Sequence, residues 1–525
     1  MPKLEIYDTT LRDGSQAEGI SFSVEDKIRI VQELDKLGIH YIEGGYAGAS
    51  PKDEEFFERV RDIELRNSKV TAFGSTRRAG KKAAEDRNLH QILEAGTSSV
   101  TIVGKSWVLH VTDVLGTSLS ENLAMIEDSV DFLVCNGREV IFDAEHFFDG
   151  YKSDPEYAIK TIEAAAKGGA SFIVLCDTAG GTMPLEIKEI FSIAKGSVNV
   201  PLGIHAHDDA GVAVANTIVA VQSGAMQVHG TFNGYGERCG NANLCTVIPN
   251  LKLKLGIGCI SSESISRITE VSRLISELAN LPHDGRLPYV GRSAFSHKAG
   301  LHADAVQKNP HTYEHVDPES VGNERRILVS DQAGKSSILA KLWNDYPELE
   351  KDSPAIQKIY DRLKEEERGG YQYEGAEGSF DLLVHRIMGK YKEFFNLKGF
   401  TVLVQRDEKH RMHSQATIKL IDTNDKIEYQ ASEGHGPVDA LSKALRKALL
   451  AFFPELESLR LTDFKVRVLN ANSGTEAKVR VLIESSDGHQ SWGTVGVSED
   501  IIEASWEALV DSIEYKLFKN SNSSK

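Results

Sequence analysis

Over about the first 255 residues, short β-branched or apolar runs alternate eight times with amphipathic helical patterns, a rhythm that few folds accommodate. The runs fall at 4–8, 40–44, 70–73, 99–103, 139–142, 172–176, 203–207 and 228–232. Helical spacing follows at 24–37, where Ile28, Ile30, Val31, Leu34 and Leu37 carry the apolar stripe behind a capping Ser23. Further helices are predicted at 53–64, 119–134, 157–167, 185–194, 212–223 and 244–255, and helical stretches end at glycine at Leu37-Gly38, Ala95-Gly96 and Lys167-Gly168-Gly169. Eight strand–helix units predict an α/β fold with a closed (β/α)8 TIM barrel over 1–260. An open doubly wound sheet is the rival, but no Gly-x-Gly-x-x-Gly follows the first run. A barrel also says where to look: functional groups sit where its strands end.

The predicted seventh strand runs into His205-Ala206-His207-Asp208-Asp209. Spacing i, i+2 puts both imidazoles on one face of a strand, which makes half of a divalent-metal site. The plainer alternative is two polar residues at a strand end, one solvated and one hydrogen-bonded. Other strand ends are polar as well. The first offers Asp8-Thr9-Thr10-Leu11-Arg12-Asp13-Gly14, the fifth Asp143-Ala144-Glu145-His146 and the sixth Asp177-Thr178. The eighth offers Asn233-Gly234-Tyr235-Gly236-Glu237-Arg238, followed by Gly240-Asn241. Carboxylate, arginine, two histidines and asparagine on one rim signal more together than any does alone.

Past the barrel a helix is predicted at 264–281. An irregular stretch at 281–331 follows, carrying His283, His297, His302, His311 and His315 and broken by Pro288, Pro310 and Pro318. Helices at 335–343 and 354–368 complete a connector over 261–370, and the glycine-rich 369–378 reads as an inter-domain linker. A third domain over 380–520 changes rhythm. After a leading helix at 380–395, strands at 401–405, 414–420 and 426–431 precede a helix at 438–452. Strands at 465–469, 477–484 and 491–497 then precede a helix at 501–516, so this α+β domain reads as an internal βββα duplication. Such a module suits small-molecule binding or assembly, with a purely structural domain as the alternative.

A formal net charge of −17 argues against nucleic-acid or anionic-membrane partners, which need a basic surface. No apolar run reaches the roughly 18 residues of a membrane helix, and the first residues lack signal-peptide anatomy. The five cysteines include no Cys-x-x-Cys pair, so neither a disulfide framework nor a thiolate zinc site is suggested. A cytoplasmic location is expected.

Four segments carry a resemblance that covers nearly the whole chain. Residues 8–16, His205-Ala206-His207-Asp208, 234–241 and Ser296-His297-Lys298-Ala299-Gly300-Leu301-His302-Ala303 closely resemble the isopropylmalate/homocitrate/citramalate synthases. The tail around Glu433-Gly434-His435-Gly436-Pro437 resembles their C-terminal feedback domain. Within the family, residues 142–151 look most like the branch whose oxo acid is pyruvate. The resemblance implies a metal-dependent barrel enzyme that condenses acetyl-CoA with a 2-oxo acid, an acyltransferase of branched-chain amino-acid biosynthesis. It also implies a homodimer, with isoleucine as the feedback amino acid.

Residue by residue, the resemblance implies a zinc, manganese or magnesium ion on Asp13, His205 and His207, with Asn241 as a fourth ligand or an outer partner. Asp13 pairing with Arg12 is the structural alternative. Arg12 stabilises negative charge on the ketone or enolate oxygen, and Glu145 is the base. Thr178 holds the substrate carboxylate or, alternatively, caps the helix near Pro184. His302 and Tyr313 complete the acid–base set, from the partner subunit, with His297 as the confusable neighbour. Gly236 and Gly240 allow close backbone approach to CoA, and Arg238 meets a CoA phosphate or pairs with a rim carboxylate. The acceptor stays open among pyruvate, 2-oxoisovalerate and 2-oxoglutarate. Other readings are an aldolase or lyase of the same superfamily, a barrel metallohydrolase and a non-catalytic amino-acid sensor.

Overall fold

Eight parallel strands close on themselves in sequence order, β8 pairing back to β1 through Glu5↔Gln227 to Asp8↔Gly230. They are β1 (Glu5–Asp8), β2 (Tyr41–Tyr46), β3 (Lys69–Ser75), β4 (Ser99–Lys105), β5 (Glu139–Glu145), β6 (Phe172–Asp177), β7 (Leu202–Ala206) and β8 (Gln227–Gly230). The predicted barrel is therefore present. The computed structural model describes residues 4–298, 300–328, 334–343, 345–408, 410–469, 477–488 and 490–523. Contacts divide the chain into two compact units, 1–295 with 315–325, and 296–314 with 326–525.

Period-2 alternation explains why the barrel wall is apolar outside and largely polar inside. Along β5, Val140, Phe142 and Ala144 join the main core with the surrounding helices. Ile141, Asp143 and Glu145 alternate with them, and Ile141 packs in a separate cluster with Tyr7, Tyr41, Val174 and Cys176. Helix Val24–Leu37 shows how the outer layer is set. Ser23 Oγ accepts the Asp26 N–H at 3.1 Å, and the Asp26 carboxylate accepts the Ser23 N–H at 2.9 Å. This reciprocal cap is worth about 1 kcal/mol. Ile30, Val31, Leu34 and Leu37 are then fully buried.

The helix expected to end at Ala95-Gly96 is present as Arg87–Glu94 between β3 and β4, with Leu89 and Ile92 buried. Two local readings need correction. The last barrel strand stops at Gly230, and Phe232–Gly234 forms a tight turn with Asn233 at φ 61°. The helix predicted at 380–395 is instead Glu377–Ile387. Gly389 follows it in the left-handed region (φ 67°), and Phe395 already begins a twelve-residue strand.

The second unit carries the duplication. Strands Phe395–Arg406, Met412–Asp422 and Ile427–Gly434 form one antiparallel sheet, and Arg460–Val468, Val479–Ser486 and Ser491–Ser498 form the other. Helix Pro437–Leu450 follows the first and Ile501–Ser523 the second. Both repeats share one core, in which Leu441, Ala444 and Leu445 join Ala504, Ala508 and Leu509. The stretch 369–378, expected from its glycines to be a linker, is packed: Tyr373 and Ala376 are buried with Phe380. No helix among the described residues is long and apolar enough to cross a membrane.

Candidate active site

At the C-terminal mouth of the barrel, a cavity of about 220 Å3 is lined by Arg12, Asp13, Phe73, Val103, Asp143, Glu145, Cys176, Thr178, His205, His207 and Arg238, among others. Asp13 lies beyond β1, His205 is on β7, and His207 stands one residue past the end of that strand, bridged to Asn241. The Asp13 Oδ2 atom is 3.3 Å from His205 Nε2 and 3.8 Å from His207 Nε2. Asn241 Oδ1 lies 2.8 Å from His205 Nε2. All four residues are buried. Asp13 Oδ1 and the Nδ1 atoms of both histidines have no hydrogen-bond partner.

Burial works against a charge on Asp13, but Arg12, His205 and His207 outweigh it and hold the carboxyl far below its usual range. Burial, then His205, pushes His207 down to about 4, so its imidazole is neutral near pH 7. Carboxylate, neutral imidazole and amide oxygen facing one point make a donor set that fits a divalent cation. A second group, Asp143, His205 and His229, shares His205 deeper in the barrel. It is the poorer candidate. Burial raises Asp143 to about 7, whereas Asp13 is held fully ionised, and His229 does not line the cavity.

The ion pair that was the structural alternative for Asp13 is present, with Arg12 Nη1 3.4 Å from its Oδ2. Arg12 is held more firmly by a residue that the motifs did not reveal. Its Nε donates to Glu43 Oε2 at 2.6 Å, and Glu43 is fully buried. Glu43 also accepts from Tyr7 Oη at 2.7 Å and from Thr9 Oγ1. The guanidinium stacks 3.9 Å above the Phe73 ring. Burial opposes its charge, and Glu43 and Asp13 restore it with a margin. An acid inside the apolar run Tyr41-Ile42-Glu43 was the available signal.

Thr178 does not cap the following helix. Its Oγ1 accepts the His146 N–H at 2.9 Å, and His146 stands in the left-handed region at φ 55°. Glu145 is paired with Lys105. Of the two partners expected for Arg238, the structure supplies the rim carboxylate. Its Nε donates to Asp209 Oδ1 at 2.8 Å, and its Nη2 to the Thr178 carbonyl at 2.7 Å. His302 and Tyr313 belong to the second unit, where their rings lie 4.2 Å apart. The confusable His297 is engaged elsewhere, 3.0 Å from Glu314 Oε1.

Gly236 and Gly240 shape the loop that presents Asn241. Gly240 sits at φ 92°, and a Cβ there would lie 1.9 Å from the Gly234 carbonyl oxygen. Gly240→Ala is therefore expected to cost about 1–3 kcal/mol in urea denaturation and to displace Asn241. Unchanged stability would mean that the loop opens without cost.

Three sequence families meet in this chain. Residues 3–275 match the HMGL-like family, 289–368 the homocitrate synthase post-HMGL domain-like family, and 374–517 the LeuA allosteric (dimerisation) domain. An (R)-citramalate synthase of Aquifex aeolicus is 54% identical over 99% of this chain and 98% of its own length. The chain belongs to the (R)-citramalate synthase family. An (R)-citramalate synthase of Geobacter sulfurreducens is 52% identical over the same shares of the two chains. A 2-isopropylmalate synthase of Methanocaldococcus jannaschii is 29% identical over 98% of this chain and 95% of its own. The family expected from the strand-end motifs is thus the one found.

Proposed function

We propose that this chain condenses acetyl-CoA with pyruvate to give (R)-citramalate and CoA. The observation that carries the reading is the convergence of Arg12, Glu145 and Thr178 with the buried Asp13, His205 and His207 group around one cavity. A divalent ion held by these three ligands and Asn241 would supply Lewis-acid polarisation of the acceptor's keto oxygen. Two imidazoles suit zinc or manganese, and the oxygen donors also admit magnesium.

The chain's own residues do the rest. Thr178 Oγ1 accepts from His146, so its O–H is available to donate to the acceptor's carboxylate. Glu145 removes a proton from the thioester methyl group, and the electron pair of that C–H bond forms the new C–C bond to the keto carbon. The carbonyl π electrons move to the keto oxygen, where Arg12, immobilised by Glu43 and Asp13, provides a fixed positive charge. That oxygen is then protonated, and water cleaves the thioester to release CoA. His302 and Tyr313, supplied by the partner subunit of a homodimer, complete the proton transfers, and Gly236, Arg238 and Gly240 border the CoA path. The 374–517 domain binds isoleucine as a feedback inhibitor of a cytoplasmic enzyme.

Free-thiol release from acetyl-CoA tests the reading, with pyruvate, 2-oxoisovalerate and 2-oxoglutarate as acceptors. Release is expected with pyruvate plus added metal, and its loss is expected on chelation. Preference for 2-oxoisovalerate or 2-oxoglutarate would reassign the acceptor, and release unaffected by chelator would remove the metal from the mechanism.

A further inference from the structure

A lysine stands beside Glu145 that the proposed mechanism leaves unused. Strand register sets Lys105, the last residue of β4, against Glu145, the last residue of β5. The Lys105 ammonium donates to Glu145 Oε2, and each side chain is 23% exposed. Both backbones are anchored from behind. Asn122, fully buried, donates its side-chain amide to the Lys105 carbonyl at 2.8 Å. The next residue, Ser106, donates its N–H to the Glu145 carbonyl at 3.1 Å, and its hydroxyl accepts from Thr161 Oγ1 at 2.9 Å. On the far side of Glu145, His146 is fixed at φ 55° by Thr178 and by Asp149, 2.9 Å from its Nδ1.

A partly exposed ion pair contributes little to stability, so stability alone does not account for so much anchoring around one pair. A glutamate on a free rim samples several rotamers, whereas proton abstraction needs the carboxylate within hydrogen-bond reach of one C–H. We propose that Lys105 is a positioning residue that holds the Glu145 carboxylate in the orientation from which it takes the thioester methyl proton. The inference rests on Glu145 being the base. In the abstraction the C–H bond breaks, its proton passes to Glu145, and its electron pair passes into the enolate. Lys105 exchanges no proton and acts only through the geometry of its partner.

The test uses the full chain with metal added and compares E145Q, K105M, K105R and the double variant E145Q/K105M. Turnover, KM for both substrates, thermal midpoint and deuterium uptake from D2O into the acetyl methyl group are followed. K105M is expected to lower kcat about 50-fold, with both KM values within about threefold of wild type and slowed deuterium uptake. K105R, which restores a cation, should recover most of the loss. In the E145Q background K105M should cost nothing more, because its partner is already disabled. Wild-type kcat in K105M beside an inactive E145Q overturns the inference, and so does a K105M loss that multiplies undiminished onto that of E145Q. Wild-type turnover in E145Q overturns the assignment of the base itself. Should K105M melt lower than wild type, K105A, which also removes the donor but adds no bulk, is read in its place against the same outcomes.

Discussion

Replacing His205 by alanine is expected to lower kcat/KM about a thousandfold and to remove the bound metal from a chain that still folds. His205 is the common member of the donor set, 3.3 Å from Asp13 Oδ2 and 2.8 Å from Asn241 Oδ1. Without it Asp13 and His207 remain, too few ligands to fix an ion in one geometry. Lewis-acid stabilisation is worth several kcal/mol, and each factor of ten in rate is about 1.4 kcal/mol. Metal content by elemental analysis, read beside the rate, checks the claim. Full activity with the ion still bound would show that the deeper residues or other groups hold it.

Arg12→Lys should prove nearly as damaging while sparing the fold, with a loss of about 100- to 1000-fold in kcat. A lysine keeps the charge but not the planar fork that engages Glu43 and Asp13 together. Arg12→Met goes further, leaving Glu43 in the barrel interior without its cation. Breaking a buried pair in this way costs about 3–5 kcal/mol, so the methionine variant should also melt lower. Equal rates in the wild type and the lysine variant would reduce Arg12 to a structural counter-ion. Equal stability in all three would mean that Glu43 finds compensation elsewhere in the Tyr7–Thr9 network.

The barrel was legible because each strand interrupts a helical apolar period with a short run, and because eight repeats leave few closures. The site was legible where its residues sit in tight local motifs, as His205 and His207 do at the end of one strand, or Arg12 and Asp13 just past another. Glu43, Lys105 and His229 stayed hidden for the converse reason. Each stands in a strand with no motif of its own, and only pairing with neighbouring strands brings it to Arg12, Glu145 or Tyr7. The double role of Thr178 was hidden too, because its partner is the backbone of a residue 32 positions away. The 369–378 segment does fall at the boundary between the matched 289–368 and 374–517 domains, as its glycines suggested, but it is packed rather than a free tether, because glycine marks tight packing as readily as flexibility.

The central claim, that this barrel joins two carbons rather than merely cleaving a thioester, is most directly tested by mass balance. Metal-supplemented protein is incubated with acetyl-CoA labelled in the acetyl methyl group and with pyruvate, and thiol and labelled acid are quantified together. The account predicts one labelled (R)-citramalate for each CoA released, and neither product without pyruvate. Thiol release that leaves labelled acetate instead of citramalate would contradict it.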